Sequence, residues 1–429
     1  MLIERSHTIG RGIAYGSQSY PYLLNVPASR MSATSGAPSE FLDFARRRDA
    51  GVSPHDFLPR ALYGEYLEAL LEKAARAAVP GVRLETLRAE ALDLRPAAGA
   101  APIEIVIRGA PSVAADTVVL ATGHAPPRRW PELDAIRDHP GLVADPWGPI
   151  RAYRPRENVL ILGSGLTMAD VVSSGVAAES SIRVWSLSRH GLVPPAQTEP
   201  RPAFPAAAAT ALLIEASSSI RRLIAAMQAV SALAEGVGGD WRDAVQVARQ
   251  AAAELWHRLP DAERRRFLRH ARALWEIHRH RLPGHVRAEL EALRADGRLT
   301  VSAGRLRACA SDGERILIRW RPRGAARDAR ASVDRVVNAT GPDSDVTRST
   351  DPLWRALLAQ GIAVPDALGL GIRTGLYGAV IDREGRPSGR VYYAGPLLRA
   401  AHWETTAARE LRVYVETLAR HLAADAGTD

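Results

Sequence analysis

Between residues 158 and 172 a strand, a glycine turn and a helix follow one another without a break: Val159-Leu160-Ile161-Leu162, Gly163-Ser164-Gly165, then Leu166-Thr167-Met168-Ala169-Asp170-Val171-Val172. Few folds accommodate that order. A run of apolar residues describes a strand buried on both faces, as a parallel sheet requires. Gly163 permits the tight turn, and Gly165 lets the backbone approach a phosphate at the helix start. There, unpaired amides and the helix dipole favour an anion. Gly163, Ser164, Gly165, Leu166 and Thr167 are therefore candidate dinucleotide-binding residues. Met168 stands where the fingerprint has its third glycine. The plainer alternative is a structural turn that holds no ligand.

The next strand ends Ser186-Leu187-Ser188-Arg189-His190. A basic residue at that tip accepts a 2′-phosphate where a carboxylate would take ribose hydroxyls, so Arg189 favours NADPH over NADH; a solvated surface arginine is the alternative. Two apolar strands close on the same tripeptide, Val118-Val119-Leu120-Ala121-Thr122-Gly123 and Val336-Val337-Asn338-Ala339-Thr340-Gly341. Small residues at such ends, Gly123 and Gly341 above all, let a nucleotide or a crossing segment pass close to the backbone. Leu2-Ile3-Glu4-Arg5 resembles the second strand of another dinucleotide unit, with Glu4 placed for ribose hydroxyls and Arg5 beside it. The glycine turn expected about 20 residues before Glu4 has no counterpart in this sequence.

Strand-like and helix-like stretches alternate in two blocks, which makes the class α/β with parallel sheets. Residues 206–295 are almost wholly helical. Before them lies the proline-rich Leu192–Pro205, and a long glycine- and tyrosine-rich loop occupies the first 30 residues. Ser39 is a plausible helix cap. The formal charge of +9 invites a nucleic-acid partner, but Lys73 is the only lysine among 56 basic residues, and arginine is spread throughout. That spread argues for a general compositional bias. His278-Arg279-His280-Arg281 is the one stretch that leaves a nucleic-acid contact open. Its plainest reading is a basic helix end at the surface; capping a cleft or meeting an anionic group is the alternative. The histidines lack the i, i+4 spacing of a metal pair, so no metal is expected. The single Cys309 excludes an intrachain disulfide framework and the cysteine pair of a dithiol reductase. No apolar run approaches the roughly 18 residues of a membrane span, and the N-terminus lacks a signal-peptide pattern. A cytoplasmic setting without membrane contact is expected.

Taken together, Leu2–Gly16, Tyr22–Ala33, Phe57–Leu67, Val118–Gly123, Asn158–Val172, Ser186–Pro194, Glu263–Pro283, Val336–Pro342 and Tyr392–Arg412 resemble the FAD/NAD(P)-binding flavoproteins of the FAD-dependent urate hydroxylase type. More distantly they are similar to flavin monooxygenases. The resemblance implies two Rossmann-like units, for FAD and NAD(P), with a helical insertion and with the first βα unit of the FAD portion missing. The expected division is 1–150 and 343–429 for FAD, 151–205 and 296–342 for NAD(P), and 206–295 for the insertion. It implies either a start residue assigned too late in a longer protein or a chain that has lost FAD binding.

The same resemblance places Asn25 and Arg30 near the flavin ring, where Asn25 either hydrogen-bonds the flavin edge or only stabilises a turn before Pro27; Arg60 and Tyr63 are candidates to reach substrate or cofactor. Gly395, Pro396, Trp403, Glu404 and Thr405 would run beside the flavin ahead of the final helix. N-capping is the alternative role for Thr405. Tyr63 and Tyr66 are expected to pack. The implied activity is NAD(P)H-driven flavin oxidoreduction, with hydroxylation of a small heteroaromatic such as urate as one form. A non-catalytic NAD(P)-binding protein is the competing reading. No side chain stands out as a general acid or base, His402 being the nearest.

Overall fold

The computed structural model describes residues 1–16, 22–96, 101–198, 204 and 206–426. Part of the early tyrosine-rich loop (17–21) and part of the proline-rich stretch (199–203 and 205) lie outside the described residues. Strand β1 (Leu2–Glu4) pairs in parallel with β2 (Thr86–Arg88). Strands β3 (Ala91–Arg95), β4 (Ile103–Ile107) and β5 (Val113–Ala115) form an antiparallel meander leading into β6 (Val118–Leu120). Between β1 and β2 lie α1 (Gly12–Tyr15), α2 (Glu40–Arg46) and α3 (Arg60–Arg76). Tyr63 and Tyr66 pack with Phe41 and Phe44 in a buried cluster, as the helical spacing predicts. Ser39 sits at the start of α2, but its hydroxyl goes to Asp43 at 2.7 Å and makes no backbone cap.

The largest sheet has seven strands: β7 (Leu142–Val143), β8 (Asn158–Leu162), β9 (Arg183–Ser188), β10 (Leu299–Ser311), β11 (Ile316–Pro322), β12 (Ala329–Val333) and β13 (Arg335–Asn338). Their spatial order is β12-β11-β10-β9-β8-β13-β7. The five from β10 to β7 are mutually parallel, and β11 and β12 extend the edge antiparallel. Helix α4 (Leu166–Ala178) is the crossover from β8 to β9. Period-two alternation sends Val159 and Ile161 toward α4 and Leu160 and Leu162 into a separate core on the opposite face. Met168 is fully buried against Ile161 and Val337's cluster. It fills core under the sheet, which accounts for a large side chain at the third fingerprint position.

Seven helices follow: α5 (Ala206–Ala216), α6 (Ile220–Glu235), α7 (Trp241–Gln250), α8 (Ala252–Arg258), α9 (Asp261–His270), α10 (Arg272–Arg279) and α11 (Gly284–Ala295). Helices α5 to α8 share a core around Leu213, Val230, Val247 and Leu255, while Leu290 and Leu293 of α11 join the sheet core beside α4. Helix α12 (Pro352–Gln360) covers β3. Strands β14 (Ala379–Ile381) and β15 (Pro387–Tyr393) then add to β6, with β15 parallel to it, and α13 (Ala408–Ala426) ends the chain. No helix among the described residues is long and apolar enough to cross a membrane.

One buried ion pair ties the sheet to the segment before it. Arg335 at the start of β13 and Glu157 just before β8 are both about 1% exposed at their side chains. They form a two-pronged contact at 2.9 and 3.1 Å. Arg335 also donates to the carbonyls of Arg151 and Ala152 and lies over the Tyr153 ring. Removing one member leaves an uncompensated buried charge. Glu157→Ala is therefore expected to destabilise the protein by about 3–5 kcal/mol, measured as the shift of the urea-unfolding transition.

Candidate functional site

Strands β8 and β13 lie side by side, while β9 continues on the other side of β8. Chain direction therefore diverges at β8, and the crevice beyond the strand ends is where open α/β sheets take ligands. A cavity of about 1090 Å³ opens there. That volume reaches the upper end of the roughly 300–1,000 Å³ usual for small-molecule sites.

The turn after β8 is dictated by crowding on one side and openness on the other. Gly163 has φ +114°, and a Cβ built on it would lie 2.3 Å from the Ala339 carbonyl oxygen at the end of β13. Only glycine fits. Gly165, directly before α4, has no atom within 4 Å of its hypothetical Cβ. Helix α4 has no side-chain cap and no acidic residue in its first turn. Its leading amides thus face the cavity without an internal acceptor, an arrangement that fits a phosphate group. The Ser164 hydroxyl is used structurally: it donates to the Leu192 carbonyl at 2.5 Å and lies 2.8 Å from Ser188 Oγ. Gly341 also lines the cavity, with φ +84° and clear space around it.

Arg189 stands at the exposed rim of the cavity just past β9. With Arg305 and Arg323 it surrounds His190 with positive charge, which together with burial holds that imidazole below its usual pKa. On the opposite side the early loop contributes Asn25, Val26, Pro27 and Arg30. Arg60 of α3 pins this loop to α4. Its guanidinium donates to the Leu23 carbonyl at 2.9 Å and to Asp170 of α4 at 2.7 Å. Burial raises the Asp170 carboxyl to about 6 even with Arg60 pulling the other way. The Asn25 carbonyl accepts from Gln197 at 2.8 Å.

Of the residues singled out in the sequence for a cofactor or substrate, Asn25, Arg30, Arg60, Gly163–Thr167, Arg189 and Gly341 share this cavity. The others lie away from its lining. Glu4 accepts from the Ser6 amide at 2.8 Å, and Arg5 pairs with Asp351 at 3.2 Å. Gly123 precedes the cavity residue His124. Gly395, with φ +149°, and Pro396 open a short 3₁₀ turn. Trp403 is buried against Trp256 and Phe267. Glu404 is bound by Arg279. Thr405 donates to the His402 carbonyl at 2.8 Å, so it does not cap α13, which begins at Ala408. His402 packs on Tyr414 outside the cavity lining.

The basic run at the end of α10 is the main departure from expectation. Arg279, His280 and Arg281 face the cavity, and the Arg279 side chain is only 8% exposed. His278 alone turns away, edge-on to Trp241. Arg249, Arg272, Glu276, Arg399 and His124 join them in the lining without having been singled out. Burial and Arg399 hold the His124 imidazole below its usual pKa. One signal was available: Arg272, Glu276 and Arg279 recur at i, i+4 and i+7, which puts them on one helix face.

Residues 1–125 match a family model described as FAD-NAD(P)-binding. Nitrosuccinic acid synthase npaA of Aspergillus oryzae (strain ATCC 42149 / RIB 40) is 30% identical over 139 residues, 30% of this chain. The match spans 21% of that protein's length. Among solved structures, ornithine hydroxylase PvdA from Pseudomonas aeruginosa superposes with a TM-score of 0.62 at 15% identity, covering 98% of this chain and 91% of PvdA. The cadaverine monooxygenase DfoA from Erwinia amylovora gives 0.63 at 12% identity, over 97% and 87% of the two chains. The chain thus has the mixed α/β fold of the two-domain FAD/NAD(P)-binding flavoprotein monooxygenases.

The two turn glycines should separate under substitution. Gly163→Ala is expected to lower stability by at least about 2 kcal/mol, through backbone strain and the clash with Ala339. Gly165→Ala should leave the melting temperature unchanged and weaken NADP⁺ binding about tenfold in a fluorescence titration, about 1.4 kcal/mol.

Proposed function

We propose that this protein is an NAD(P)H-dependent flavin monooxygenase that oxygenates the nitrogen of a small amine. The observation that carries this reading is one cavity shared by several walls. It is bounded at once by the uncapped start of α4, the Gly341 strand end, the Asn25–Arg30 loop and the helical wall of α7 and α10. A pyridine nucleotide, a flavin and a substrate each have a distinct wall there. The named neighbours support the amine: one is an ornithine hydroxylase, another a cadaverine monooxygenase, and the curated relative is named for making nitrosuccinic acid.

The amides of Ser164, Gly165 and Leu166 hold the paired phosphates of the pyridine nucleotide, and Arg189 at the tip of β9 takes a 2′-phosphate, which favours NADPH. Asn25 and Arg30, on the loop that Arg60 clamps to Asp170, border the flavin ring, and the open strand end at Gly341 leaves room for it. Bound FAD supplies hydride acceptance and oxygen activation, chemistry that no side chain provides. His124, whose imidazole burial and Arg399 hold below its usual pKa, lines the cavity as a hydrogen-bonding group. Glu4 and Arg5 are proposed for the adenosine end, and Gly123, Gly395, Pro396, Trp403, Glu404 and Thr405 shape the flavin side from behind the lining.

The test is NADPH oxidation and oxygen uptake by the flavin-loaded protein across a panel of amines, amino acids and urate, with products analysed by mass. The expected result is amine-dependent oxidation at least about tenfold above background, with one oxygen added at nitrogen. Stimulation by urate alone would replace this reading with ring hydroxylation. Tight NADP⁺ binding with no turnover of any compound would leave a non-catalytic binder.

A further inference from the structure

The helical wall of the cavity carries more positive charge than its own carboxylates neutralise. Arg249 of α7, Arg272 and Arg279 of α10, Arg281 just beyond it, and Arg399 all line the cavity. Opposing them are Glu276, Glu404 and Glu410: Glu276 is bound by Arg399 and lies 3.7 Å from Arg272, Glu404 is bound by Arg279, and Glu410 lies 2.5 Å from Arg249. On this wall guanidinium groups outnumber carboxylates, and Arg409, which also lines the cavity beside Glu410, adds to the same sign.

Nor are the arginines saturated by their partners. Nε of Arg249, Nη2 of Arg279, and Nε of Arg281 and Arg399 are buried donors without a hydrogen-bond partner among the described residues. Arg281 makes no ion pair in this set. Among its strongest electrostatic neighbours Arg242, Arg249 and Arg279 repel it and Asp240 attracts it, and Asp240 is also held by Arg242 at 2.7 Å. Clustering like charges out of water is costly unless an anion joins them. Planar guanidinium forks with free N–H groups match carboxylates in particular, which they bind through two parallel hydrogen bonds. The other basic group at the site, Arg189 with Arg305 and Arg323 around His190, lies at the tip of β9 beside the phosphate turn and is assigned to the cofactor.

We infer that the wall formed by Arg249, Arg279 and Arg281 is a carboxylate-binding subsite, so that the amine oxygenated here is an acidic one. The subsite rests on the geometry alone; its assignment to the substrate rests on the amine-oxygenation reading above. An acidic amine enters with its carboxylates on the helical wall, which leaves its nitrogen toward the flavin side of the cavity. A substrate without a carboxylate would leave the buried arginine donors unpaired, and that penalty gives selectivity.

The probe is succinate, which has the carboxylates but no nitrogen to oxidise, titrated calorimetrically into the full chain alongside inorganic phosphate and putrescine. Succinate should bind, putrescine should not, and Arg281→Gln should weaken succinate at least about tenfold, about 1.4 kcal/mol. Arg281→Lys, which keeps the charge without the fork, should fall between. Arg189→Gln should weaken NADP⁺ and leave succinate unaffected. Circular dichroism and melting of each variant verify folding. Equal succinate affinity in wild type and Arg281→Gln overturns the subsite, as does loss of phosphate or NADP⁺ binding in Arg281→Gln with no succinate binding in the parent. In turnover, aspartate or glutamate should exceed putrescine at least about tenfold in kcat/KM, with Arg281→Gln raising KM far more than it lowers kcat. Efficient turnover of putrescine would overturn the acidic substrate while sustaining amine oxygenation. Succinate binding with no amine turnover would overturn amine oxygenation and leave the carboxylate subsite standing.

Discussion

The site is built on the contact between the end of β8 and the end of β13. A side chain at residue 163 would enter the Ala339 carbonyl at 2.3 Å, so the two strands can end in register only because residue 163 is glycine. That contact turns the chain sharply at the sheet edge and presents the start of α4 to the crevice. The strand-pairing network follows from it: β8 and β13 pair from Val159–Arg335 to Leu162–Asn338, and the buried Arg335–Glu157 pair locks the opposite end. An uncapped glycine turn at the start of α4 is therefore a by-product of how closely two parallel strands pack. The same geometry brings Gly341 beside it.

Around this fixed edge, the remaining walls are supplied by distant segments, and ion pairs hold them in place. Arg60 joins the early loop to α4 through Asp170. Arg279 joins α10 to the segment before α13 through Glu404, and Arg249 joins α7 to the first turn of α13 through Glu410. Arg399 joins the same segment to α10 through Glu276 and stacks on Trp403 at 4.0 Å. These links do two things at once. They close a cavity from pieces as far apart in sequence as residues 25 and 409, and they leave guanidinium edges facing inward. Trp256 and Phe267 packed on Trp403 give that corner a rigid apolar backing.

The physical reasons for what sequence patterns captured are local. A continuous apolar strand, a glycine turn and an amphipathic helix are each specified within a few residues, so β8, α4 and the glycine turn between them are legible directly. The paired Ala-Thr-Gly strand ends marked β6 and β13 in the same way. The aromatic spacing of Tyr63 and Tyr66 marked a buried face of α3. Thr405 and Ser39 show where local reasoning stops. Both have capping chemistry, yet each hydroxyl finds a different acceptor, His402 for one and Asp43 for the other.

The amino-acid sequence by itself determined the α/β class, the nucleotide-type turn and the arginine-rich character of the chain, because each depends on neighbours in the sequence or on composition. Only the tertiary structure decided that Arg279, His280 and Arg281 turn inward while His278 turns away. On an isolated helix end four basic residues belong in water. Here Glu404 and Glu410, more than 120 residues away, draw the neighbouring helices together and bury those charges. Whether an arginine is a solvated surface group or part of a binding wall depends on what the rest of the chain places opposite it, and that is set by packing between segments remote in sequence.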